Sequence, residues 1–244
     1  MKIYENIIIG NFLYALGVSI GKATANTRHF SVINLMQQTP DDKLLGDLLV
    51  EFPGVVKLIE FKNRKSSKKK EKDKIRQLKI ALNNNIEMLK ISNSVHWYIE
   101  TDPLEKVCFN KIVPYINACE STASNYTLES FIHGVTEEVT SHNELHGREK
   151  IKTYLQVVAG CQGTTDRSSG SGDIGTSSGG LLLCIDNAEL TFVQYTDTLQ
   201  LQLQHKEFVK LLANELTSIM RPEIDKNKDR RMTLDLKNEE GLSL

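Results

Sequence analysis

Two apolar runs, Leu44 to Phe52 and Val55 to Lys62, are separated only by Pro53 and Gly54, and this arrangement turns the chain back on itself. Both runs are rich in Leu, Val, Ile and Phe, the composition of strands in a packed sheet. With Phe52 facing Val55, opposed residues have numbers that sum to 107, so Asp47 stands across from Glu60. Opposed residues project to one side with Cβ atoms about 4.5–5.5 Å apart. Lys62, two residues beyond Glu60, projects to that side too, because strand side chains alternate. The hairpin therefore gathers two carboxylates and an amine.

Two carboxylates this close do not both ionise cheaply without a cation between them. Oxygen donors suit a hard ion, which makes Mg²⁺ or Mn²⁺ the expected guest. A lysine beside such an ion can orient or deprotonate a water, or steady charge on an attacked phosphate. Leu48, Val50, Leu58 and Ile59 make the hairpin a buried one, where unpaired charge is costly. The alternative, an ordinary Glu/Lys ladder on a surface strand, fits those apolar neighbours less well.

Asp47 followed by Glu60-Phe61-Lys62 resembles the signature of the PD-(D/E)XK nuclease superfamily, an acid opening one strand and Glu-x-Lys on the next. Gly46 stands where that family often has proline. The resemblance implies an α/β fold with a restriction-endonuclease-like core, an α-β-β-β-α-β mixed sheet flanked by helices. It implies Asp47, Glu60 and Lys62 as catalytic residues. It also implies a Mg²⁺ (or Mn²⁺) site made by Asp47, Glu60 and the backbone carbonyl of Phe61. The expected activity is metal-dependent hydrolysis of phosphodiester bonds in nucleic acid, DNA ahead of RNA, by an endonuclease. Members serve antiviral defence, restriction and repair, often with a protein partner in a multi-subunit system. A catalytically inactive nucleic-acid-binding or scaffold module of the same fold is the alternative.

The segment after the hairpin points to the same kind of partner. Lys62 to Lys79 holds eight lysines and two arginines against Glu71 and Asp73, a local charge of +8 in a chain whose total is −1. The remainder carries −9, so the basic run is a local footprint for a polyanion and not a general property. Lys65, Lys68, Lys69, Lys70, Lys72 and Arg76 are the expected phosphate contacts. Ile75, Leu78, Leu82, Ile86 and Leu89 recur at helical spacing, predicting one amphipathic helix from about Ser67 to Ile91. The competing reading of the charges is a solvated helix face.

Around this centre the pattern predicts a helix from Tyr4 to Ala23 and strands at His29 to Met36 and Val95 to Glu100. Glu5, in the first helix, and Gln77, on the basic helix, are weaker candidates for the site; Glu5 is equally explained by the helix dipole. Residues 1–103 make the expected core. Residues 104–221 make an α+β C-terminal extension: helix through most of Leu104 to Leu155, a Gly/Ser loop at 163–180, a hairpin of Leu181 to Asp186 with Glu189 to Tyr195, and a helix from Gln200 to Met220. Half of residues 223–244 are charged, so 222–244 is expected to fray.

Several patterns carry no chemistry. Gly170 to Gly175 satisfies GxGxxG inside a Gly/Ser run with no helix following. Gly17 to Lys22 lacks the spacing and the Ser or Thr of a phosphate loop, and His142, Glu144 and His146 misplace the glutamate of a zinc protease. Cys108, Cys119, Cys161 and Cys184 show no paired spacing and read as free thiols of a reducing compartment. Met1 to Ala25 has the outline of a secretory leader, but Glu5, Asn11 and Lys22 fall in the wrong places, and the stretch is shorter than a bilayer span. A buried helix in a cytoplasmic protein without a membrane partner is the expectation.

Overall fold

The computed structural model describes residues 4–24, 29–36, 45–102, 108–120, 126–141, 145–162, 180–186 and 189–195. The chain divides into two units after His205, and every described residue belongs to the first. The expected Gly/Ser loop up to residue 179, the helix at 200–220 and the frayed tail at 222–244 lie outside the described residues.

The elements run α1 (Glu5–Ala23), β1 (His29–Leu35), β2 (Leu48–Phe52), β3 (Val55–Asn63), α2 (Lys69–Leu82), α3 (Ile86–Val95), β4 (His96–Thr101), β5 (Phe109–Pro114), α4 (Leu128–Ser141), α5 (Arg148–Gln162), β6 (Gly180–Asp186) and β7 (Glu189–Tyr195). All seven strands form one mixed sheet in the order β5-β4-β3-β2-β1-β6-β7. Among the described residues only β3 and β4 pair in parallel. Their connection is α2 plus α3, the crossover that a parallel pair requires.

The β2–β3 hairpin has the register read from the sequence, with Phe52 opposite Val55 and Leu48 opposite Ile59. Gly54 has φ +81°, the conformation that a type II turn demands after proline. Both strands are central, and alternation sends their side chains into two cores. Leu49, Val56 and Leu58 pack with Ile75, Leu78 and Leu82 of α2, Ile91 of α3 and Tyr154 of α5. Leu48, Val50, Ile59 and Phe61 pack with Ile9, Phe12 and Leu16 of α1 and Phe131 of α4. Helices α2, α3 and α5 thus cover one face of the sheet, and α1 and α4 the other. The stretch expected to be too short for a bilayer span forms a helix, α1, that by length and composition is long enough for one; its buried residues are Ile8, Ile9, Phe12, Leu16 and Ile20.

Two expectations need correction. The single helix predicted from Ser67 to Ile91 is two, because Asn83 (φ 41°) and Asn84 (φ 57°) turn left-handed and Asn85 caps a new helix by accepting from the amides of Glu87 and Met88 at 3.1 Å. Asparagine tolerates that conformation and is a strong N-cap. The helix expected beyond Leu104 contains a strand, β5. Ile112 and Ile116, four apart, are split between β5 and a 3-10 turn at Tyr115–Asn117 and lie in opposite cores. Strands from both sides of residue 103 share the sheet, since β5 pairs with β4 and β6 with β1.

Candidate active site

Asp47 lies just ahead of β2, with its backbone carbonyl accepting from the Met36 amide at 2.9 Å. Its Oδ2 accepts from the Phe61 amide at 2.7 Å, so the carboxylate is fixed to the facing strand beside Glu60. Both acids are buried, Asp47 at 5% and Glu60 at 4% exposure. Lys62 Nζ approaches Glu60 Oε1 at 2.8 Å from a half-buried position. The three residues that converge by arithmetic also converge in space, on the face covered by α2.

Gly46, unexplained by its sequence context, has a spatial reason. Its φ is +145°, outside the comfortable range of L side chains, and a Cβ there would stand 3.0 Å from Glu60 Oε2. The missing side chain is the room that the carboxylate occupies.

Two further acids and several partners join the cluster. Glu71 of α2 is buried, accepts from the Tyr115 hydroxyl at 2.7 Å and lies 3.6 Å from Lys74 Nζ. Glu100 of β4 is buried opposite Lys62 in the parallel register and holds Lys68 in an ion pair. Behind them His96 stacks on Tyr115 with ring centroids 4.1 Å apart, and its Nδ1 lies 2.9 Å from the Tyr154 hydroxyl. Burial, aided by the charge of Lys74, pushes the His96 imidazole down to about 3, so it is neutral at physiological pH.

The electrostatics identify the pair that matters. Burial first, then the charge of Asp47, raises the Glu60 carboxyl to about 7 in spite of Lys62. For Lys62, burial works against the charged form, but the charge and hydrogen bond of Glu60 outweigh it and hold the amine above its ordinary value. Asp47 and Glu60 thus repel one another, with Lys62 and Lys74 favouring the ionised form of Glu60. Paired carboxylate oxygens fit a hard divalent ion, and Mg²⁺ characteristically takes one or two protein carboxylates and keeps waters. Asp47, Glu60 and the carbonyl of Phe61 would hold it. Among the described residues no group of three His, Cys, Asp or Glu side chains forms a metal cage.

The remaining candidates divide. Lys65, Lys69, Lys70, Lys72 and Arg76 are exposed, while Lys68 is drawn inward to Glu100. Gln77 is exposed, away from the buried side of α2. Glu5 begins α1, whose buried side packs on the opposite face of the sheet from Glu60. Neither joins the acid cluster. Glu71 was legible, since it precedes Ile75, Leu78 and Leu82 by 4, 7 and 11 residues and so shares their side of the helix. Tyr115 had no local signal. His146 lies 2.7 Å from Ser94 Oγ; His142 and Glu144 lie outside the described residues. Comparison with family models, curated proteins and solved structures finds no match.

Proposed function

We propose that the chain is a metal-dependent phosphodiesterase acting on nucleic acid, DNA ahead of RNA, with a restriction-endonuclease-like core of the PD-(D/E)XK kind. The observation that carries this reading is the buried Asp47–Glu60 pair, two carboxylates held side by side with the Lys62 ammonium against Glu60. The order helix, three antiparallel strands, helical crossover and parallel strand from α1 to β4 supports the same reading.

A bound divalent ion supplies Lewis-acid polarisation of a phosphate oxygen and a water acidic enough to attack. Asp47 and Glu60 would hold such an ion, and the raised Glu60 carboxyl would have to be ionised to do so. Lys62 is kept as an ammonium, so its role is to steady charge on the attacked phosphate and not to remove a proton from water. The exposed lysines of α2 hold the polymer by its phosphates without reading bases.

Labelled DNA and RNA, single-stranded and duplex, incubated with Mg²⁺, Mn²⁺ or chelator test this. Cleavage should require the metal, vanish in Asp47→Ala and Glu60→Ala, and fall in Lys62→Ala with metal binding retained. Full activity of Glu60→Ala, or cleavage in chelator, defeats the reading. Binding that persists in chelator with no cleavage under any condition favours the scaffold alternative.

A further inference from the structure

The buried side of α2 changes character along its length. Its last two turns place Ile75, Leu78 and Leu82 in the core, whereas Lys68, Glu71 and Lys74 precede them among the charges of the sheet. Lys68 sits at the N-cap of α2, five residues beyond the end of β3. Its ammonium does not join the exposed lysines; it lies on Glu100, whose side chain is 8% exposed against 35% for Lys68. Glu100 is opposite Lys62 across the β3–β4 pair, strands spaced about 4.8 Å apart. Tyr98, two residues before Glu100 and on its side of the sheet, directs its hydroxyl to the same carboxylate oxygen at 3.5 Å. The Lys68–Glu100 pair thus lies one strand over from Lys62, on the same face of the sheet.

Resting on the phosphodiesterase reading, we propose that Lys68 is a second catalytic cation, contacting the scissile phosphate, and that Glu100 is its positioning residue. Surface lysines hold phosphates at any point along a polymer and act on binding alone. An ammonium fixed by a buried carboxylate beside Lys62 meets one phosphate, the one brought to Asp47 and Glu60, and steadies the charge that its oxygens gain in the transition state. A pair whose only role was to tie α2 to β4 would affect melting and not turnover.

The test compares single variants on cleavage in Mg²⁺ and on binding of labelled duplex in chelator. Lys68→Gln should lower kcat by about 10²-fold, the usual loss for one transition-state donor, with KM changed far less. Lys68→Arg should restore most of that loss. Glu100→Gln should lower kcat about tenfold, and the double variant should be no worse than Lys68→Gln, because the two act as one unit. Lys69→Gln, Lys70→Gln and Lys72→Gln should instead raise KM and flatten the salt dependence of binding, by about 0.7–0.9 in log–log slope for each phosphate no longer neutralised. A Lys68→Gln variant that behaves like those three overturns the proposal. So does full kcat with a lowered melting temperature, in Lys68→Gln or in Lys68→Met, which keeps the apolar stem if the glutamine variant does not fold. Glu60→Gln separates the two levels: its inactivity beside a fully active Lys68→Gln sinks only this inference, and its full activity sinks the phosphodiesterase reading as well.

Discussion

Strand β3 carries two buried lysine–carboxylate pairs on its opposite faces, Lys57 with Glu138 at 2.7 Å and Lys62 with Glu60 at 2.8 Å. In the first the lysine is the deeply buried partner, 3% exposed against 31% for the carboxylate; in the second the order is reversed, 28% for the lysine and 5% for the carboxylate. Lys57 also donates to the Ser94 carbonyl at 2.8 Å. Burial lowers its amine pKa, and the charge and hydrogen bond of Glu138 oppose that shift. The Lys62 pair has a third member, Asp47, whose charge raises the Glu60 carboxyl. Buried charge alone is thus a poor mark of chemistry; two carboxylates held side by side in a fixed oxygen set are the better one.

The largest expected difference between the two ends of β3 is in mutant behaviour. Glu60→Gln should cut metal-dependent cleavage about 10³-fold or more without loss of stability, since it relieves Asp47 of a like-charged neighbour. Glu138→Ala should leave cleavage within a few-fold of wild type but lower unfolding free energy by about 3 kcal/mol, because it strands Lys57 in the interior. Lys57→Met should cost less, as Glu138 can turn to water. Denaturant unfolding beside cleavage assays gives both readings, and an inactive but fully stable Glu138→Ala would erase the distinction.

A second difference lies in pH. The Glu60 carboxyl is raised from its ordinary value to about 7, so the native state binds a proton more tightly there than the unfolded chain does. Its stabilising contribution is complete below the unfolded carboxyl's ordinary value and is lost as pH rises toward and through about 7. With chelator present, stability should fall across that interval by on the order of 3 kcal/mol from this group, and Glu60→Gln should remove that fall. Mg²⁺ should reverse it at high pH by favouring the ionised pair. A melting temperature indifferent to both pH and metal would put the two pairs on the same footing.

The smallest expected effect belongs to Gly46. Gly46→Ala puts a Cβ against Glu60 Oε2 in an unfavourable backbone conformation, for a cost of about 1–3 kcal/mol. Metal affinity should drop along with stability, measured by calorimetric titration. The turn glycine Gly54, remote from the acids, provides the contrast: Gly54→Ala should lose stability alone.

The local parts of this arrangement are open to reading from sequence, and the distant parts are not. A two-residue connection leaves β2 and β3 one register, and alternation then brings Asp47, Glu60 and Lys62 together. Periodicity also marks α1 and the β6–β7 hairpin, whose observed ends differ from expectation by a residue or less. It misleads where apolar spacing runs on across the asparagine break at 83–85, and where Ile112 and Ile116 keep helical spacing while serving different elements. The approach of Glu100 to Lys62 depends on where a 32-residue crossover, Arg64 to Val95, returns the chain, and the Tyr115 bond to Glu71 spans 44 positions. Neither is encoded in any local period. Lys68 stands apart from the exposed lysines for the same reason: a count of lysines is blind to which one turns inward.

The tight β2–β3 turn has a kinetic consequence. Hairpins close on a microsecond scale, and pairings distant in sequence form later. Asp47 and Glu60 are 13 positions apart and arrive together with the hairpin, whereas Lys68 meets Glu100 only after the crossover has folded and β4 has docked. For that interval the nascent protein holds two acids side by side, with Lys62 on the same strand as Glu60. Proton uptake by Glu60 is then part of the folding reaction itself, and the order in which the strands assemble decides when that proton is taken up.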